Sequence, residues 1–258
     1  MAVRYYLRQL MTECSREWPT QFHGVTNNGF LLDLIERTSP REVLLVTLNY
    51  DTLIEQALHC VFAWTSTSFG SYVDGRYKLV KLHGSVDWGR VVNLPWDPAT
   101  DPEQAVIDRA AEVLDAVTDH FVLSADSCGS NGQLIMPALA IPLHASGSFE
   151  CPAEHHLLLR ASLREVDRVL AIGWRGAEAR LTLLLADQHY GLPVGVPFGI
   201  VSGGVADALE TARNLHDGGV RGDFRHCSDG YSGFLRRAAA TGQLPTHADL
   251  AAFDVPLI

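Results

Sequence analysis

The sequence predicts an α/β protein: a parallel sheet with helices on both faces, plus a helical and loop insertion. Three observations carry this. Short, wholly apolar runs of strand length recur, as in strands buried on both faces. Amphipathic helical patterns follow them, as in β-α-β units. Residues 89–153 break the alternation with segments rich in proline, glycine and aspartate.

Taken in order, residues 5–14 read as a helix. Val43-Leu44-Leu45-Val46 is the first strand, and 52–61 is a helix whose Thr52-Leu53-Ile54-Glu55 has capping-box spacing. Residues 77–82 form the second strand. Residues 95–102 read as a loop, 103–120 as a helix and 126–133 as a turn-rich loop, and 137–151 has little periodicity. Residues 168–172 are the third strand, ending at Gly173. A helix over 176–189 follows, with Leu181, Leu184 and Leu185 on one face. Residues 198–201 are the fourth strand, ending in Ser202-Gly203-Gly204, before a helix over 205–215. No linker or repeat is visible, so 1–258 reads as one domain, with 89–153 an insertion or cap over the sheet's carboxyl edge.

Composition excludes several classes. With 47% hydrophobic and 19% charged residues, the chain is too apolar for a disordered one. A net charge of −10 argues against a broad phosphate-binding face, so no direct nucleic-acid binding is expected. The five cysteines are scattered without a C-x-x-C, which fits neither a disulfide framework nor a zinc ribbon and suits a reducing cytoplasm. No apolar stretch has the length of a signal peptide's core or a membrane span, so no membrane association is expected.

Ligands of open α/β sheets bind outside the carboxyl ends of the strands. The first strand ends in Thr47-Leu48-Asn49-Tyr50-Asp51, the second in Lys81-Leu82-His83-Gly84-Ser85-Val86-Asp87-Trp88, the third in Gly173-Trp174-Arg175-Gly176. Alone, Asn49 and Asp51 read as turn and cap residues. His83 alone reads as a turn histidine. Together they put an amide, a carboxylate and an imidazole at the ends of two successive strands.

These residues carry a family resemblance. The segment from Thr47 to Glu55 resembles the T-x-N-Y-D-x-x-x-E segment of sirtuin-like domains in bacterial defence proteins. Lys81-Leu82-His83-Gly84-Ser85 resembles that family's K-L-H-G-S segment, and 169–173 its later strand ending in a glycine turn. Gly230-Tyr231-Ser232-Gly233-Phe234-Leu235 resembles its closing G-F-S-x-F-L helix start. The likeness runs over residues 20–240, nearly the whole chain.

The resemblance implies a Rossmann-type domain that takes NAD as substrate and breaks its nicotinamide–ribose bond. In this reading Asn49 positions a water or the ribose hydroxyls, and His83 accepts a proton from one of them. Asp51 holds the carboxamide or orients the loop carrying Asn49. Thr47, Tyr50, Gly84 and Ser85 line the cofactor. Gly173 lets the backbone approach it, beside Trp174, and Ser202 meets the adenosine ribose. The resemblance also implies antiphage defence, a homo-oligomer, and a sensor protein encoded nearby. Protein-deacylating sirtuins carry four zinc-binding cysteines. That spacing is absent here, so no zinc is expected, and the NAD-hydrolysing branch is favoured over a deacylase.

One departure bears on NAD binding. Family members begin with a strand, a Gly-Ala-Gly loop and a helix that cradle the pyrophosphate. The first 42 residues show no such unit; Gly24 and Gly29 follow no apolar run. Two readings stay open: a late start of the chain, or a lost phosphate cradle and a degenerate nucleotide-binding or assembly module.

Other candidates rank lower. His155-His156, near Cys151 and Glu154, reads as a solvated helix start rather than a metal site. Cys128 reads as a loop cysteine. Arg160, Arg164 and Arg168 read as one basic helix face.

Overall fold

A computed structural model describes residues 1–22, 25–141 and 149–254; Gly24, and 142–148 of the segment 137–151, lie outside the described residues. The chain is mixed α/β. It divides into two compact units, one of Met1–Gly29 with Arg41–Leu157, the other of Phe30–Pro40 with Leu158–Ile258.

In the first unit, helix α1 (Ala2–Phe22) is followed by the start of α2 (Val25–Thr38), with no strand before β1 among the described residues. Strand β1 (Val43–Thr47) pairs in parallel with β2 (Tyr77–Lys81), Val43 opposite Tyr77 and Thr47 opposite Lys81. Between them run α3 (Leu53–Phe62) and the single turn α4 (Gly70–Val73). The expected capping box is absent. The Asp51 carboxylate, one residue earlier, accepts the Leu53 N–H at 3.1 Å, while Glu55 turns inward to Lys81. A charged partner in the core competes better for Glu55 than a neutral backbone amide at the helix start does.

The insertion holds more sheet than its composition suggests. Strand β3 (Gly84–Val92) is the centre of an antiparallel sheet, flanked by β4 (Val117–Leu123) and β5 (Leu134–Leu139). The helix expected over 103–120 is two short ones, α5 (Pro102–Asp108) and α6 (Ala110–Ala116), broken at Arg109. The pattern ends because 117–123 finds a ladder on β3, with Trp88 opposite Leu123 and Arg90 opposite Phe121. Tertiary pairing overrides local periodicity there. Tyr5, Val92, Val106, Val113, Leu134 and Met136 form the core beneath. The buried Arg8 of α1 donates to the carbonyls of Ala125 and Trp88.

In the second unit, β6 (Val169–Ile172), β7 (Val196–Val201) and β8 (Gly222–Cys227) are parallel, with the two-residue β9 (Ala251–Ala252) antiparallel at the edge. A helix follows each parallel strand: α8 (Ala179–Leu185), α9 (Val205–Asp217) and α10 (Gly230–Thr241). Helix α9 buries Ala208, Thr211, Ala212 and Leu215, an i, i+3, i+4, i+7 stripe. Helix α8 is shorter than the pattern over 176–189. Gly176 has φ +66° and lies against α9, and Asp187 closes a turn by accepting from His189 and Tyr190 N–H. The expected arginine stripe is split. Arg160 lies in α7 (Ala153–Ser162), over the Tyr190 ring, while Arg168 falls in the extended approach to β6. No helix among the described residues is long and apolar enough to cross a membrane.

Candidate functional site

The carboxyl ends of β1 and β2 lie side by side, because the two strands are parallel and in register. The Leu82 N–H donates to the Thr47 carbonyl at 3.1 Å, continuing the ladder past both strands. Beyond it the chain forms a short loop, Asn49–Asp51, and a second, Leu82–His83, that runs into the start of β3 at Gly84 and Ser85. The Val86 N–H donates to the Tyr50 carbonyl at 3.0 Å, and the Tyr50 and His83 rings lie 6.3 Å apart, centroid to centroid. The structure therefore sets the segment that carries Asn49 and Asp51 beside the one that carries His83.

Each residue has a distinct environment. The Thr47 hydroxyl accepts the Asn49 N–H at 3.1 Å, and Asn49 itself is exposed. Asp51 is half-buried with one oxygen engaged on α3, so its first role is to cap that helix. His83 is half-buried, and its carbonyl accepts the Ala140 N–H at 2.9 Å. The Tyr50 hydroxyl donates to the Ala140 carbonyl, tying the first loop to the end of β5. Gly84 has φ +84°, and a Cβ there would lie 1.8 Å from the Ala138 carbonyl oxygen. Only glycine permits that approach. Ser85 is fully buried and its hydroxyl is consumed inside the loop, so it serves the loop's shape rather than a ligand.

Beneath the two loops sits Lys81, at 0% exposure. Its ammonium donates to the Asp51 carbonyl (2.5 Å), Glu55 Oε1 (2.6 Å) and Ser85 Oγ (2.7 Å). Burial pushes the Glu55 carboxyl up, and the Lys81 charge pulls it back down. Sequence reasoning quoted Lys81 within its motif but gave it no role. A signal was present: Tyr77, Leu79 and Lys81 share one face of a strand by their spacing of two, and the first two are apolar.

His155 differs from its expected state. It begins a helix as read, but the ring is entirely buried, 5.1 Å from Trp88 and 5.5 Å from Tyr72 between centroids. Its Nδ1 faces the Lys81 backbone N–H at 3.4 Å. Burial, and then the Lys81 charge, lower its pKa to about 4, so it is neutral at pH 7. The ring lies among aromatic side chains, and among the described residues it joins no cluster of His, Cys, Asp and Glu that could hold a metal.

In the second unit, Gly173 and Ser202 follow neighbouring parallel strands. The Gly173 N–H donates to the Val201 carbonyl at 3.0 Å. Gly173 is exposed with φ +65°, and nothing lies within 4 Å of where a Cβ would be. Trp174 is half-buried, and its carbonyl accepts the Thr211 hydroxyl of α9. The Ser202 hydroxyl donates to the Gly204 carbonyl at 2.7 Å, closing its own turn before α9. The expected site residues are thus distributed: Thr47, Asn49, Tyr50, Asp51, His83, Gly84 and Ser85 in the first unit, Gly173, Trp174 and Ser202 in the second.

No protein-family model matches this chain, and no curated protein matches it.

Proposed function

We propose that this chain is an NAD-cleaving hydrolase of the sirtuin-like defence type, releasing nicotinamide and ADP-ribose. One observation carries the reading: Asn49 and His83 stand on adjacent loops at the carboxyl ends of two parallel, in-register strands. Water adds to the ribose carbon as its bond to nicotinamide breaks. The products are nicotinamide, ADP-ribose and one proton. The Asn49 amide, exposed and hydrogen-bonding in character, positions the water or the ribose hydroxyls. The His83 imidazole takes the proton as the water attacks. Asp51 acts through the loop, since its carboxylate caps α3 and its carbonyl is held by Lys81.

A second reading is a nucleotide-binding or assembly module without catalysis. Two observations favour it. Among the described residues no strand precedes β1, and none of them forms a strand-glycine-helix cradle for pyrophosphate there. Ser202 spends its hydroxyl inside its own turn.

Incubating the purified chain with NAD and measuring free nicotinamide tests the first reading. Release is expected from the wild type and at least a hundredfold less from His83→Ala or Asn49→Ala, about the size of a lost acid–base or positioning group. Tight calorimetric binding of ADP-ribose with no nicotinamide release would support the second reading instead.

A further inference from the structure

We infer that Lys81 is a positioning residue: its ammonium sets the spacing of the Asn49 and His83 loops and never touches the substrate. The inference rests on reading Asn49 and His83 as the reacting pair, and names what holds them.

The hydrogen-bond count is the first argument. A lysine ammonium has three N–H donors. All three are used, on the Asp51 carbonyl, Glu55 Oε1 and Ser85 Oγ. No hydrogen is left for a phosphate or a ribose, and a fully buried group has no path to either.

Connectivity is the second. The three acceptors belong to three segments: the loop after β1, helix α3 and the start of strand β3. Asn49 lies two residues before Asp51, and His83 two residues before Ser85. The ammonium thus bridges the two segments at equivalent points, two residues beyond each candidate reacting residue. Ser85 extends the bridge by donating to the Tyr50 carbonyl at 3.4 Å. The backbone bonds from Leu82 to Thr47 and from Val86 to Tyr50 anchor the margins of the loops, and Lys81 spans the interval between those anchors.

Energetics is the third. A buried ion pair is weak support for stability alone, since apolar side chains of similar volume often replace one at no loss. Here the ammonium also holds one backbone carbonyl, that of Asp51, and one hydroxyl, that of Ser85. An apolar replacement would fill the volume and leave the Asp51 carbonyl and Ser85 hydroxyl without their donor.

The test separates positioning from folding. Lys81→Met alone strands Glu55, so the main variant is Lys81→Met/Glu55→Met, which removes both charges and fills the space with unbranched apolar side chains, matching the length of Glu55 and one atom shorter than Lys81. With thermal unfolding confirming a folded protein, NAD cleavage is expected to fall in kcat by about a hundredfold, with KM within a few-fold, as for a reacting pair moved by about 1 Å. A folded double variant with wild-type kcat overturns the inference. If the double variant does not fold, Ser85→Ala removes one acceptor and leaves the ion pair intact. A fall of about tenfold in kcat at little-changed KM then supports the inference, and unchanged kcat overturns it.

If the wild type releases no nicotinamide, the functional reading fails by itself. Amide hydrogen exchange then decides the positioning role in the same variants. Exchange at least tenfold faster across Asn49–Asp51 and His83–Val86, with the rest of the unit unchanged, supports it; wild-type protection in both loops overturns it.

Discussion

Lowering the pH from 7 to 5 will cost the fold about 2 kcal/mol through His155 alone. The ring is wholly buried against Phe69, Tyr72 and Trp88, and its Nε2 has no hydrogen-bond partner among the described residues. Burial first, and the Lys81 charge second, lower its pKa from 6.5 to about 4. The unfolded chain binds a proton near pH 6.5, while the folded chain resists until near pH 4. Between those values acid favours the unfolded state. The stabilisation is therefore whole above pH 6.5 and shrinks by about 1.4 kcal/mol per pH unit below it. Integrated down to pH 5 this gives about 2 kcal/mol, and it approaches roughly 3 kcal/mol near pH 4.

Urea unfolding followed by tryptophan fluorescence at pH 7, 6 and 5 measures it, on the wild type and on His155→Gln. Glutamine keeps an acceptor for the Lys81 N–H and does not titrate. Carboxylates titrate alike in both proteins and cancel in the difference. The wild type should lose about 2 kcal/mol more than the variant between pH 7 and pH 5. A difference that stays constant over that range would refute the reasoning.

Two further outcomes follow from the same loops. Gly84→Ala should destabilise by roughly 3 kcal/mol or more, read from the urea midpoint, because a Cβ at φ +84° meets the Ala138 carbonyl oxygen at 1.8 Å and its carbon at 2.8 Å. Backbone supplies both contacts, so no rotamer change relieves them. Asp51→Ala should cost about 1 kcal/mol as the Leu53 N–H loses its acceptor, and Asp51→Asn, which keeps an oxygen there, should recover most of it in the same measurement.

Much of the fold was legible from apolar runs. Strands β1, β2, β6 and β7 match the runs at 43–46, 77–82, 168–172 and 198–201 to within about two residues. Helices α3 and α9 match the helical patterns at 52–61 and 205–215 to within about two residues. Strand β4 was not legible. Its residues, Val117-Thr118-Asp119-His120-Phe121-Val122-Leu123, continue a helical pattern, and only pairing with β3 makes them a strand. Strand β8, Gly-Asp-Phe-Arg-His-Cys, carries too much polarity to stand out.

The candidate site divides the same way. Asn49, Asp51 and His83 could be found by sequence alone, because polar residues that end apolar strands mark the ligand side of a parallel sheet. Their neighbours could not. Lys81, Glu55 and His155 are residue types usually found in water, and their sequence positions fit a strand end, a helix cap and a helix start. What buries them is long-range: the register of β1 on β2 carries Asp51 and Ser85 to the same ammonium, and the aromatic box of Tyr72 and Trp88 closes over His155. Sequence by itself determined the α/β class and the residues that stand at the strand ends, since both follow from local periodicity and chain order. Tertiary structure alone decided which charges lie in the core and what they hold, since burial and hydrogen-bond partners depend on segments dozens of residues apart.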